Sequence, residues 1–265
     1  MQLADKTIVL TGAAGGIGRA MAARLAVAGA RLCLVGRQEN SLRALCGELP
    51  GEGHRLLVAD ITTAEGRAAV VRDCAAGVDL LINNAGVNHF GLLEEQSDEQ
   101  LRQTLEVNTL APILLTRDLL PLLRAHSGGI VNVGSGFGSI GFAGYCGYSA
   151  SKFALRGFTE ALRRELADSP VQVQYLAPRA VTTSMNPPEV VAMNRELGNA
   201  MDTPEQVAED LLRLLRSGKR ALHMGAPERF FAKLNALLPG LVDSALAKKL
   251  SVIRRQAMAT HGTAS

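Results

Sequence analysis

The sequence predicts a single-domain, doubly wound α/β fold: a parallel sheet of about seven strands, helices on both faces, and a helical appendage at the C-terminal end. Three observations predict it. Short apolar runs rich in β-branched residues alternate with helical patterns from residue 7 to residue 224, as in a parallel sheet covered on both faces. The first run passes at once into a glycine-rich turn that opens a helix. No linker and no repeat interrupts the pattern, so residues 1–225 read as one unit and 226–265 as its extension.

Composition agrees with a packed domain. Of 265 residues, 47% are hydrophobic and 20% charged, enough to bury a core and too apolar for disorder. The net charge of +3 is too small to argue for nucleic acid as a partner. Cys33, Cys46, Cys74 and Cys146 are scattered, with no C-x-x-C and no histidine cluster. They read as buried small apolar residues in a reducing compartment, and no metal site is expected. Asp5 and Lys6 lead straight into the first strand, and no run of about 18 apolar residues occurs, so the expected location is cytoplasmic.

Thr7 to Leu10 is the first buried strand. Thr11-Gly12-Ala13-Ala14-Gly15-Gly16-Ile17-Gly18 follows, and a helix runs from Arg19 to Ala28. Glycines here let a pyrophosphate approach N–H groups at a helix N-terminus. There is no Gly-Lys-Ser/Thr, which excludes a Walker phosphate loop, and the spacing Gly12, Gly16, Gly18 departs from G-x-G-x-x-G. The second strand, Arg31 to Val35, ends in Gly36-Arg37 with no acid until Glu39. An acid at this place would hold a ribose 2′-OH, whereas an Arg suits a 2′-phosphate, so Arg37 favours NADP(H) over NAD(H).

A helix over Leu42 to Leu49 stops at Pro50-Gly51. The third strand, Arg55 to Ala59, ends in Asp60-Ile61, and Thr62 or Thr63 caps a helix running to about Ala76. The fourth strand, Asp79 to Ile82, ends in Asn83-Asn84-Ala85-Gly86, at the carboxyl edge where open α/β sheets bind ligands. Asn84 serves either such a ligand or the neighbouring strands, or both. Ser97 opens a long helix whose Leu101, Leu105, Asn108, Ala111, Leu115 and Leu119 form one stripe. Asn108, polar within it, is a satisfied core amide or part of a site.

The fifth strand, Gly129 to Val133, ends at Gly134-Ser135. A glycine-rich loop, Gly136 to Gly147, leads to a helix from Tyr148 to Ala167, with Phe153, Leu155, Phe158, Leu162 and Leu166 facing inward. Tyr148 and Lys152 lie one turn apart on it, and the ammonium should draw the phenol pKa down towards working pH. Val171 to Leu176 is the sixth strand. Ser184 to Asp202 shows little pattern and reads as a lid loop. Thr203-Pro204 starts a helix ending near Gly218, and Ala221 to Met224 is the seventh strand.

Thr11-Gly12-x-x-x-Gly16-x-Gly18, Asp60-Ile61, Asn83-Asn84-Ala85-Gly86, Asn108, Ser135, Tyr148-x-x-x-Lys152 and Pro178 through Met185 fall in one order. Together they resemble the short-chain dehydrogenase/reductase family of the classical type, over roughly residues 3–224. The resemblance implies a Rossmann-like fold and hydride transfer between a nicotinamide and a carbonyl or secondary alcohol. It assigns catalysis to Asn108, Ser135, Tyr148 and Lys152: Tyr148 is the acid/base, Ser135 polarises the carbonyl, and Asn108 distorts its helix and relays protons. It assigns cofactor contacts to the turn (Thr11, Gly12, Ala14, Gly15, Gly16, Ile17, Gly18), to Asp60 and Ile61 at the adenine, to Asn84, Ala85 and Gly86, to Tyr148 and Lys152, and to Pro178, Val181 and Thr183. Ser135, Tyr145 and Tyr148 would meet the substrate. A homodimer or homotetramer is implied through the helices that begin at Ser97 and Tyr148.

Two departures stand out. Arg179 occupies the place of the family's usual glycine after Pro178, as a substrate-anion clamp or a solvated side chain. The glycine turn lacks the basic residue common in NADP-type members. The tail steps in two helices, Phe230, Leu234, Leu237, Leu241 and then Val242, Leu246, Leu250, Ile253, with basic flanks. It caps the substrate pocket or a subunit interface, lies on a membrane surface, or serves a partner. The expected activity is reduction of an apolar, lipid-like ketone or the reverse oxidation; the alternative is a cofactor-binding sensor or scaffold without turnover.

Overall fold

The computed structural model describes residues 1–183 and 186–262. Seven strands form one sheet: β1 Thr7–Thr11, β2 Arg31–Gly36, β3 Arg55–Val58, β4 Leu80–Asn83, β5 Gly129–Val133, β6 Gln172–Ala177 and β7 Ala221–His223. All neighbours pair in parallel in the order β3-β2-β1-β4-β5-β6-β7. The order reverses between β1 and β4, which opens a crevice at their carboxyl ends.

Alternating side chains divide the core into two layers. Ile8, Leu10, Leu32, Leu34 and Ile82 point to the face covered by α1 Gly16–Val27, α2 Glu39–Glu48 and α8 Pro204–Ser217. Val9, Cys33, Val35, Leu81 and Ile130 point to the face covered by α3 Ala64–Asp73, α5 Ala111–Ala125 and α6 Cys146–Glu165. Both faces are covered over the central strands, so β1, β2 and β4 are nearly continuous apolar runs, while the edge strands β3 and β7 are only partly buried. Truncating a fully buried strand residue such as Leu81 to Ala would cost about 2–5 kcal/mol.

Several boundaries differ from the sequence reading. The first helix starts at Gly16, not Arg19, so the last glycines of the turn are its first turn. The catalytic helix α6 starts at Cys146, not Tyr148. Thr63, not Thr62, caps α3: its hydroxyl accepts the Gly66 N–H at 3.0 Å. The helix opened by Ser97 runs as α4 Asp98–Leu105, a π-helical stretch Glu106–Leu110, then α5. The wider turn shifts the phase of the apolar stripe, and Leu105 turns outward, 46% exposed. Phe153, expected to face inward, is also exposed. Cys33 and Cys74 are buried, but Cys146 is exposed at the start of α6.

The lid is not a loop throughout. It carries α7 Pro188–Glu196, begun by prolines at its N-cap and first position. Ser184 and Met185, part of the expected lid, lie outside the described residues. The tail makes three helices where two were expected: α9 Ala226–Leu237, α10 Pro239–Ala247 and α11 Leu250–Gly262. Helix α11 packs on α7, and α9 pairs with α10. Among the described residues no helix is long and apolar enough to cross a membrane.

Candidate active site

The glycine turn is tight because its neighbours leave no room. Gly12 has φ +63°, and a Cβ there would lie 2.8 Å from the Ala85 Cα. A Cβ on Gly18 would lie 2.2 Å from the Gly12 carbonyl oxygen, which holds the first turn of α1 against the strand end. The N-cap Gly15 offers no side-chain acceptor, so the first N–H groups of α1 lack a capping partner and suit an anion. Gly16 faces Thr183: a Cβ would lie 3.1 Å from its Cγ2, and Ile17 and Thr183 wall the same cavity. A dinucleotide pyrophosphate fits this uncapped helix end.

Thr11 and Asn84 join β1 to the end of β4. The Thr11 hydroxyl accepts the N–H groups of Asn84 and Ala85 at 3.0 and 3.1 Å. The Asn84 amide donates to the Thr11 and Gly12 carbonyls at 3.1 and 3.2 Å. Of the alternatives for Asn84, the strand-linking one is therefore present, and its side-chain donors are spent on it. Asp60 accepts the Thr62 N–H at 3.0 Å and the Thr62 hydroxyl at 2.7 Å. Burial acts to raise its pKa, but these bonds, with Arg37 nearby, hold it below the usual carboxylate value. Ile61 is buried, and Arg37 is exposed beside Asp60 at the rim of a shallow groove.

Asn108 is fully buried in the π-helical stretch. Its Oδ1 accepts the Val87 N–H at 2.8 Å, and its Nδ2 donates to the Val87 carbonyl at 2.9 Å and to the Ser151 hydroxyl at 3.1 Å. The amide is therefore satisfied within the protein. It ties the segment after β4 to the catalytic helix, and the helix is distorted at its position, as the resemblance implied.

Ser135, Tyr148 and Lys152 converge on a cavity of about 530 Å³ at the crevice. Ser135 Oγ accepts the Phe137 N–H at 3.1 Å, which leaves its own proton to be donated. It hydrogen-bonds Tyr148. Lys152 Nζ lies 5.7 Å from the centre of the Tyr148 ring and donates to the Val133 carbonyl at 3.1 Å. The expected fall in the phenol pKa does not occur. Burial pushes Tyr148 up to about 12 against the Ser135 bond, and burial pushes Lys152 down to about 8. Burial of both groups sets the direction of each shift, which the spacing alone had left out.

The rest of the cavity is mainly apolar, with Asn88, Asn194, His223 and Lys249 as polar points in its wall. Tyr145 is buried between Phe90 and Phe137, with ring centres 5.0 and 5.2 Å away, and faces the cavity beside Tyr148. Val190 and Met193 of α7 close one side; Phe231, Val242 and Leu246 of the tail close another. The tail therefore caps the pocket. Pro178 and Val181 line it at the end of β6. Arg179 is neither an anion clamp nor solvated. It makes two hydrogen bonds to Asp202 and lies 3.6 Å from Glu228, which fastens the lid to β6 and to α9.

Sequence reasoning missed Phe137, Asp202 and Phe231 of α9, whereas Val242 and Leu246 of α10 stood in the tail's apolar stripe. Asp202 is 23 residues from its partner, and no local signal joins them. Phe137 stood within a loop noted only for its glycines.

A short chain dehydrogenase family model matches residues 6–193. The chain is 32% identical over 264 residues to dehydrogenase/reductase SDR family member 7B of Bos taurus, covering 92% of this chain and 81% of that protein. It is 34% identical over 220 residues to carbonyl reductase family member 4 of Danio rerio, covering 80% of this chain and 92% of the relative. A short chain dehydrogenase from Burkholderia cenocepacia J2315, solved in complex with NADP, superposes with a TM-score of 0.79 at 27% identity over 93% of this chain and 99% of its own.

Proposed function

This chain belongs to the short-chain dehydrogenase family of NAD(P)-dependent oxidoreductases, and from that premise we propose that it interconverts an apolar, lipid-like ketone and its secondary alcohol with NADP(H). The observation that carries this reading is the convergence of Ser135, Tyr148 and Lys152 on an apolar cavity beside the uncapped end of α1. Arg37, in the place of a ribose-binding acid, supports the 2′-phosphate form. The NADP-bound structure and the carbonyl reductase relative support the same reading.

A bound nicotinamide supplies the hydride. As hydride reaches the carbonyl carbon, the C=O π pair moves onto oxygen. Ser135 and Tyr148 donate to that oxygen, and their bonds strengthen as charge develops. Tyr148, protonated at neutral pH by its raised pKa, then gives its proton to the oxygen. Lys152 stabilises the phenolate left behind. Asn108 fixes the floor by holding Val87. Leu105, Leu110 and Phe153, exposed on α4, the π-helical stretch and α6, support pairing of subunits through these helices.

The test is NADPH oxidation, with NADH in parallel, over ketones graded from short polar to long apolar. Turnover rising with apolar length supports the reading. Tight NADPH binding with no turnover across the panel overturns it in favour of a cofactor-binding sensor.

A further inference from the structure

The inner sides of α9 and α10 are anchored: Asn235 Nδ2 donates to the Ser139 carbonyl at 3.0 Å, and Phe231, Ala232 and Val242 wall the cavity. Their outer side is not covered. Ala236, Leu237, Leu238, Pro239, Gly240 and Leu241 form six consecutive exposed residues with no polar side chain among them, at the turn joining the two helices. Leu237 is 79% exposed, Leu241 60% and the nearby Phe230 63%. Isolated exposed leucines are ordinary, but an exposed apolar run at one protruding turn marks an interaction surface.

Charge indicates what covers it. Residues 226–262 hold six Lys/Arg and two Asp/Glu, against 28 and 25 in the whole chain, so the positive excess lies in these helices. Of the two acids, Glu228 is turned towards Arg179. Lys233 stands between Phe230 and Leu237 at helical spacing, and Lys248 follows Leu241 two turns later; both are exposed. Apolar tips flanked by cations on one side of a hairpin match the boundary of an anionic bilayer, with leucines among acyl chains and ammonium groups among phosphates.

We propose that the α9–α10 turn docks the protein on anionic lipid surfaces. Docking sets the helices that wall the cavity against the membrane. The surface itself stands whether or not the substrate reading holds, because the test reads binding and not turnover.

The full chain would be floated with phosphatidylcholine vesicles, with and without about a third phosphatidylserine. Binding is expected to the anionic vesicles, weaker to the neutral ones, and reduced by salt. The double substitution Leu237→Asp with Leu238→Asp should lower the bound fraction about tenfold or more at unchanged Tm. Lys233→Glu, which leaves the apolar run intact, should weaken only the anionic component. No binding by the wild-type chain, or equal binding by the variants, would overturn the proposal. So would a leucine variant that dissociates an oligomer by sedimentation while the wild type ignores lipid, which would make the turn a contact between copies of this chain.

Discussion

Arg179 and Asp202 meet in a two-point ion pair: Nε donates to Oδ2 at 2.9 Å and Nη2 to Oδ1 at 2.6 Å, with Asp202 only 4% exposed. The pair closes the segment that carries α7 over the cavity. Its hydrogen bonds to Asp202 raise the Arg179 pKa further, so the cation is permanent. Arg179→Ala would strand a buried carboxylate, at a cost of about 3 kcal/mol. That corresponds to a Tm lower by roughly 6–12 °C in a domain of this size. Proteolysis should then begin between residues 186 and 202. Arg179→Lys should fall between, since an ammonium cannot reproduce the two-point fork. A Tm unchanged in Arg179→Ala would mean the pair holds nothing.

The strand–helix alternation was legible because the central strands are buried on both faces and the helices that cover them on one, which writes the core into apolar period. Tyr148 and Lys152 were legible as one face of a helix; that Ser135, at the end of β5, joins them was implied by the family resemblance and not by local pattern. Helix α7 was not legible: Val190 and Met193 pack on Ile253 and Ala257, about sixty residues later, so its apolar face has meaning only once the tail is in place. The pKa of Tyr148 was misread for a related reason. Spacing reports the Lys152 charge, but the desolvation that opposes it comes from aromatic rings gathered from outside the helix, such as Phe137 at 6.3 Å.

Tyr148→Phe should keep the fold. The ring packs edge-on against Phe137 and Tyr145, with centres 6.3 and 6.0 Å away, and only the oxygen is lost. Ketone reduction should fall about 10²–10⁴-fold in kcat, as when a general acid is removed. NADPH binding, read by fluorescence, should remain. Full activity in this variant would remove Tyr148 from the mechanism.

Arg37→Ala should separate the two cofactors. A charged hydrogen bond is worth about 1.5–3 kcal/mol, so the Kd for NADPH should rise about 10–100-fold. The Kd for NADH should stay within about twofold, since it lacks the 2′-phosphate. Titration of both cofactors against wild type and variant checks this. A parallel loss for both would place Arg37 elsewhere on the cofactor or make it structural.

Lys152 is 4% exposed, and burial holds its pKa at about 8 against an ordinary 10.5. A lysine pKa lowered in the folded state means that the native protein disfavours the ammonium. Below about pH 8 folding therefore carries the cost of burying that charge, and between about 8 and 10.5 the unfolded chain binds the extra proton, so this group makes stability rise with pH. Lys152→Met, of similar length and without charge, should raise the Tm at pH 7 while abolishing turnover, the exchange of stability for function expected at an active site. The advantage of the variant should shrink as pH rises from 8 to 10, when wild-type Lys152 becomes neutral in place. Tm measured for both proteins at pH 7, 8, 9 and 10 would show the two curves converging. Parallel curves would mean that Lys152 is not strained by burial, and that its place beside Tyr148 carries no cost to the fold.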